Sequence, residues 1–294
     1  MKHRLQRSVR ATMAGLMVNA VLALVKLVAG IVGHSTALIA DAVESFTDLA
    51  ASVIVWRAVV VAGRPADQNH PYGHGRAETL ATAAVAVMLL GAAGLIVVGA
   101  VRRIFVPGPP PEPYTLWVLL GVVVIKESLY RWVHREGVAV DNAAVRADAW
   151  HHRSDAITSA AAALGISVAL VGGQGYEAAD GWAALVAAGF IVWSAWRLMR
   201  PAAAELMDED ISSDVLVAAR SAALEIDGVR AVEKCHGRKL GFGYALEMHI
   251  EVDGTMSVTR AHALAHAVED RVRERVPRIN EVAVHVEPYQ PKRS

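Results

Sequence analysis

Two stretches of this chain place ionisable residues where apolar runs should exclude them. "ADAVESFTDLAAS" spans 40–52 and "ADAWHHRSDAITS" spans 147–159, and the two share a register: Asp41 matches Asp148, Glu44 matches His151 and Asp48 matches Asp155. Helix positions four apart lie on one face, so Glu44 pairs with Asp48 and His151 with Asp155. An ionisable residue at mid-membrane costs about 2.5–3.5 kcal/mol on insertion scales, so three carboxylates would cost roughly 8–10 kcal/mol without compensation. Two helices that each offer such a pair supply four ligands, the number a tetrahedral divalent metal takes. Three carboxylates and one imidazole suit Zn²⁺ and lean toward harder ions such as Mn²⁺ or Fe²⁺. The blander reading, acids at wet helix ends or bonded between helices, is weakened by the repeated register. Asp41 and Asp148, one turn away, fit a structural or access role better than ligation. His152 points about 100° around the helix from His151 and is a weak ligand candidate. Asn19 and Lys26 read as an interhelical contact and a snorkelling side chain.

Helices must carry these groups, and the bulk composition says where. Of 294 residues, 54% are hydrophobic and only 20% charged, which places the chain among membrane proteins. Six apolar segments, near 11–33, 36–62, 77–101, 114–134, 144–171 and 178–200, are long enough to cross the bilayer. The basic start "MKHRLQRSVR" precedes an apolar run too long for a signal peptide, so it reads as the approach to a first membrane helix. Lys2, Arg4, Arg7, Arg10, Arg64, Arg76, Arg135, Arg146, Arg197 and Arg200 flank one side, against Arg102 and Arg103 on the other. The positive-inside rule therefore predicts both termini in the cytoplasm.

Beyond Pro201 the chain turns charged. "SDVLVAARSAALEI" and "SVTRAHALAHAVEDRVRERV" have helical periodicity, while "VRAVEKCHG", "YALEMHIEV" and "EVAVHVEP" read as strands. The expected fold is an α-helical membrane protein: a six-helix transmembrane transport domain at 1–206, then a small cytoplasmic α+β domain of order αββαβ at 207–294. Net charge is zero, which argues against a nucleic-acid surface, and a single cysteine, Cys235, excludes an intrachain disulfide. Neither H-E-x-x-H, H-x-x-E-H nor a Walker A motif occurs, so an intramembrane metalloprotease and an ATP-driven pump are unsupported.

The paired motifs on the second and fifth helices, together with "HPYGHGRAETLA" after the second, resemble the cation diffusion facilitator family of divalent-metal/proton antiporters. The resemblance covers nearly the whole chain. It implies a homodimer in the lipid bilayer that exports metal from the cytoplasm by alternating access, with protons as counter-ion and no enzyme activity. The transport site would be Glu44, Asp48, His151 and Asp155. Glu44 departs from the Asp or His common there. The resemblance also implies a loop metal site at Asp67, His70 and His74. A cytoplasmic site would comprise His236, His249, His262, His285 and Glu287, with Glu287 where Asp is frequent. His266 is expected at the surface, and Cys235 is left out because adjacent strand residues face opposite ways. Arg76 and Asp208 align with a charged pair that links the two parts near the dimer contact. Zn²⁺ is the first expectation, with Mn²⁺, Fe²⁺, Co²⁺ and Cd²⁺ as alternatives; a non-transporting metal sensor or partner subunit is the rival function. Short loops and compact length fit a bacterial cytoplasmic (inner) membrane.

Overall fold

The computed structural model describes residues 2–106, 108–139, 143–172, 176, 178–241 and 243–290, with side chains described at all of these except 2–12 and 143–148. The connections expected around 140–142 and 173–177, and the side chain of Asp148, therefore fall largely or wholly outside the described residues.

Six long helices come first: α1 (Lys2–Val32), α2 (Thr36–Ala62), α3 (Arg76–Phe105), α4 (Pro113–Ala139), α5 (Ala143–Gly172) and α6 (Ala178–Leu206). Five of them are apolar enough over their length to cross a membrane. The other, α4, has 27 residues, about 40 Å at 1.5 Å per residue, but carries Lys126, Glu127 and Arg131 along its middle. Large apolar side chains such as Leu95, Val98, Trp117 and Leu164 point outward, as lipid-facing residues must. Inside, α3 presents Val85, Leu89, Ala93, Ile96 and Ala100 at helical spacing to Ala184, Ala188, Ile191 and Ala195 of α6, with Ala40 of α2 joining them. A second cluster joins Ala37 and Leu38 of α2 to Ala29, Leu119, Ala162, Ala163 and Ile166. Helix α2 thus has apolar partners on two sides. Small residues let helices approach closely: a Cβ on Gly165 of α5 would stand 2.2 Å from the Ala183 side chain of α6.

Helix α6 runs past the expected stop, through Pro201 to Leu206. A proline inside a helix forfeits one backbone hydrogen bond. The last turn is held from outside, because the Glu205 carboxylate accepts from Thr79 Oγ1 at 2.8 Å and from Lys239.

The remaining elements are α7 (Ser213–Leu224), β1 (Ala231–Leu240), β2 (Gly243–Val252), α8 (Val258–Arg275) and β3 (Ile279–Pro288), in the expected αββαβ order. The sheet order is β1-β2-β3, with β1 antiparallel and β3 parallel to β2. Period-two alternation sends Leu246, Met248, Ile250 and Val252 into a core with Ala219, Ala222, Val268 and Val272 of the two helices. Cys235 is in that core as well. The odd positions of β2 and β3 therefore share the opposite face of the sheet. Ser257 caps α8 by accepting from Arg260 N, and Arg273 and Arg275 complement the dipole in its last turn.

By contacts the chain divides into two compact units, Met1–Ile54 with Ala84–Met199, and Val55–Ala83 with Arg200–Ser294. Within the second unit, Gly75 meets the β1–β2 turn closely. A Cβ there would lie 2.9 Å from Gly241 N, and Gly241 itself has a φ of +58°, so both glycines are required.

Candidate metal centres

In the first unit, α2 and α5 bring Asp48, His151 and Asp155 together, with one ligand atom from each within 4.8 Å of the others. His151 Nε2 is 3.8 Å from Asp48 Oδ2, and His151 Nδ1 is 3.8 Å from Asp155 Oδ1. Those two contacts use different ring nitrogens, and one ion takes only one of them. Ligands about 2.0–2.2 Å from a shared zinc would stand roughly 3.3–3.5 Å apart, so the trio must draw in by up to about 1.3 Å to share an ion. Glu44 lies one turn before Asp48, half-buried, and falls outside that close trio while remaining within electrostatic reach of Asp41, Asp48 and Asp155.

Two lysines reach the same pocket from α1 and α4. Lys126 Nζ is 2.6 Å from Asp155 Oδ2 and 2.7 Å from Asn19 Oδ1. Lys26 Nζ is 2.7 Å from Asp41 Oδ2 and donates to Ser45 and Ser159, while Ser159 Oγ donates to Asp41. The expectation that Lys26 snorkels is therefore corrected. It is fully buried, because a carboxylate one helix away answers its charge more closely than distant water could. Asn19 does make the interhelical contact expected of it, and Asp41 is held in the structural pairing with Lys26.

Upstream of the pocket, the Asp180 carboxylate on α6 accepts from Ser35 Oγ at 2.7 Å, Thr36 N at 2.6 Å and Ala37 N at 3.3 Å. Ser35 Oγ in turn accepts from Leu38 N. Asp180 thus satisfies backbone donors that the start of α2 leaves open and sets a negative charge at its positive end. Nothing in the local spacing marks Asp180 as functional. An acid beside a predicted helix start was the available signal, but its target lies more than 140 residues away.

In the second unit, the loop between α2 and α3 folds Asp67, His70 and His74 into one cluster. Asp67 Oδ1 accepts from the Asn69 and His70 amides at 2.9 and 2.7 Å. The His70 amide is the main cause holding the Asp67 carboxyl below its ordinary range. His74 Nδ1 donates to the Pro65 carbonyl at 3.2 Å, leaving Nε2 aimed at Asp67 Oδ2 at 3.3 Å. A ring nitrogen fixed by a backbone carbonyl, with the other facing a carboxylate, is the arrangement a metal-binding histidine uses. A depressed carboxyl pKa contributes above the unfolded value and is lost only as pH falls through the folded one. Asp67 is thus expected to stay ionised between pH 5 and 7. Asp67→Asn keeps an acceptor for both amides, so the loop should hold its shape. Its metal affinity should fall by at least the roughly 10–100-fold that loss of an outer partner costs. Titration of a metal into the wild type and the variant checks this, and equal affinities would count against it.

On the open face of the sheet, parallel register sets His249 beside His285 and Glu251 beside Glu287. His249 Nδ1 donates to Glu287 Oε1 at 2.7 Å, and His285 Nε2 is 3.5 Å from the same oxygen. That bond from His249 is the first cause keeping Glu287 below its usual carboxylate range. Two of the five expected residues sit apart within the chain. His236 on β1 bonds Asp210 at 2.9 Å and lines a cleft of about 590 Å³. His262 on α8 faces His266, with 3.2 Å between their Nε2 atoms, and His266 Nδ1 lies 3.3 Å from Glu269. Arg76 bonds Asp208 and donates to the Glu205 carbonyl at 3.1 Å.

Residues 12–207 match the family described as the cation efflux transmembrane domain. The chain belongs to the cation diffusion facilitator family. Residues 211–289 match a second family description, cation efflux protein, cytoplasmic domain. Manganese efflux system protein MneP of Bacillus subtilis is 29% identical over 291 residues, covering 97% of this chain and 98% of its own. Uncharacterized transporter YdbO of the same organism is 32% identical, with 97% of each chain covered. Cation-efflux pump FieF of Shewanella oneidensis is 31% identical over 90% of this chain and 89% of its own. The solved structure described as MamM-CTD 215-293 aligns with 26% of this chain and 96% of its own, at 30% identity and a TM-score of 0.26. As a cation diffusion facilitator, the chain is an integral membrane transporter for metal cations and not an enzyme.

Proposed function

We propose that this transporter exports a divalent transition-metal ion from the cytoplasm, exchanging it for protons at Glu44, Asp48, His151 and Asp155. The observation that carries the reading is the convergence of Asp48, His151 and Asp155 from two helices, with one ligand atom from each within 4.8 Å of the others. Metal and protons compete for the same lone pairs, so whichever side offers protons expels metal. Alternating access turns that competition into exchange, driven by the pH gradient and the membrane potential.

Zinc is the first reading, on the mixed carboxylate and imidazole donors. Manganese is the second, favoured by three oxygen donors to one nitrogen and by the likeness to a protein named as a manganese efflux system. We place the transport domain at 1–206 and a metal-binding, dimerising domain at 207–294, with both termini in the cytoplasm of a bacterium. A second copy of the chain would complete the cluster that His249, His285 and Glu287 begin, using His236 and His262. Asp67, His70 and His74 form an auxiliary site.

Flux of Zn²⁺ and Mn²⁺ into proteoliposomes under an imposed pH gradient tests the reading. Gradient-dependent movement of one ion supports exchange, whereas tight binding with no flux of either favours a sensor or partner subunit. Asp208→Ala probes the dimer separately. The Arg76 and Asp208 side chains are 37% and 47% exposed, so their pair contributes no more than about 1 kcal/mol. The variant should keep its fold and its membrane metal site while the dimer loosens and transport falls. An unchanged monomer–dimer equilibrium with unchanged flux would refute that role.

A further inference from the structure

Among the described residues, Lys126 is the cation hydrogen-bonded to a proposed transport ligand, Asp155, and metal–proton exchange assigns it no task. Its ammonium is almost fully buried and divides its hydrogen bonds between Asp155 Oδ2 at 2.6 Å and Asn19 Oδ1 at 2.7 Å. The other oxygen of the same carboxylate, Asp155 Oδ1, faces His151. One carboxylate therefore serves two cation positions. With ligand bonds of about 2.1 Å, an ion held by Asp155 Oδ1 would lie roughly 5 Å from the Lys126 nitrogen. At an effective dielectric near 20, repulsion between a divalent ion and a unit charge at that distance is roughly ten times thermal energy. The two cations cannot both hold Asp155 at full strength.

We propose that Lys126 is a tethered counter-cation that competes with the transported ion for Asp155, and that Asn19 holds the ammonium when the ion takes the carboxylate. The proposal rests on the transport-site reading above. Asn19 fits the part because it is a neutral acceptor on a different helix. It keeps one hydrogen bond on a buried ammonium without adding a charge that would pin it there. The competitor lowers metal affinity, which a carrier needs if it is to release its cargo. A merely positioning role predicts the reverse, since an unsupported Asp155 would bind metal less well.

The test is Zn²⁺ binding by calorimetry to the full-length protein carrying His70→Ala and His285→Ala, which disable the other two clusters. Lys126→Met should bind Zn²⁺ at least about tenfold more tightly than this parent. Asn19→Leu should bind it about three- to tenfold more weakly, the worth of one hydrogen bond, because the ammonium then depends on Asp155 alone. Opposite shifts in the two variants support competition. Unchanged or weaker binding in Lys126→Met overturns it. Should Lys126→Met not fold, Asn19→Leu carries the test, and unchanged affinity there overturns the proposal. Asp155→Asn separates the two levels of inference. If it leaves Zn²⁺ binding intact, the transport-site reading fails and the competitor with it. If it weakens binding while Lys126→Met stays at the parent value, only the role of Lys126 fails.

Discussion

Asp155→Ala is expected to abolish metal flux and also to loosen the fold, by about 3–5 kcal/mol, the cost of leaving one partner of a buried ion pair uncompensated. The second effect arises because Lys126 lies almost wholly out of water with Asp155 as its charge partner. Loss of transport in this variant is therefore ambiguous by itself. The double variant Asp155→Ala with Lys126→Met resolves the ambiguity, since it removes both charges together. Replacing a buried pair with apolar groups is often near neutral. Thermal melting in detergent should thus return toward the wild-type value, while proteoliposome flux stays absent. If the double variant melted as low as the single one, the ion pair would not be the source of the loss. If it regained flux, Asp155 would not be a transport ligand.

Asp180→Ala carries the next largest expectation, a loss of roughly 3–5 kcal/mol, because hydrogen bonds to a charged group contribute about 1.5–3 kcal/mol each and are not additive. Three donors lose their acceptor at once: Ser35 Oγ, Thr36 N and Ala37 N. Asp180 also lies in the first turn of α6, so its charge serves the positive ends of two helices. Helix α2 carries Glu44 and Asp48 about two and three turns beyond this cap. A freed start of α2 should therefore weaken metal binding as well as lower the melting temperature. Asp180→Asn keeps an oxygen for one of the donors and should fall between. Melting curves and metal titrations on both variants give the comparison, and a melting temperature within error of wild type for Asp180→Ala would remove the cap from the account.

Much of this could be read from spacing alone. Helical and strand periods are local, so the apolar runs placed the six helices, and alternation in "YALEMHIEV" and "EVAVHVEP" placed the strands to within a few residues. The repeated four-residue spacing likewise singled out Glu44, Asp48, His151 and Asp155, of which the structure brings the last three together and leaves Glu44 outside the close trio. That same locality is where spacing stops helping. Lys26 on an apolar helix reads as a side chain seeking water, because nothing near it in sequence supplies a counter-charge. Its partners, Asp41, Ser45 and Ser159, belong to two other helices. Lys126, midway along α4, is answered by an acid 29 residues on.

The sequence by itself therefore determined which face of each helix and strand is polar, because a face is set by residues three, four or two apart. Only the tertiary structure decided which polar face meets which. It paired Lys26 with Asp41, gave Asp155 to both His151 and Lys126, and turned Asp180 onto the start of α2. It also kept His236 and His262 away from His249 within the chain. Such pairings follow from the cost of burying an unanswered charge or an open backbone donor, and that cost is paid off only once distant helices have packed.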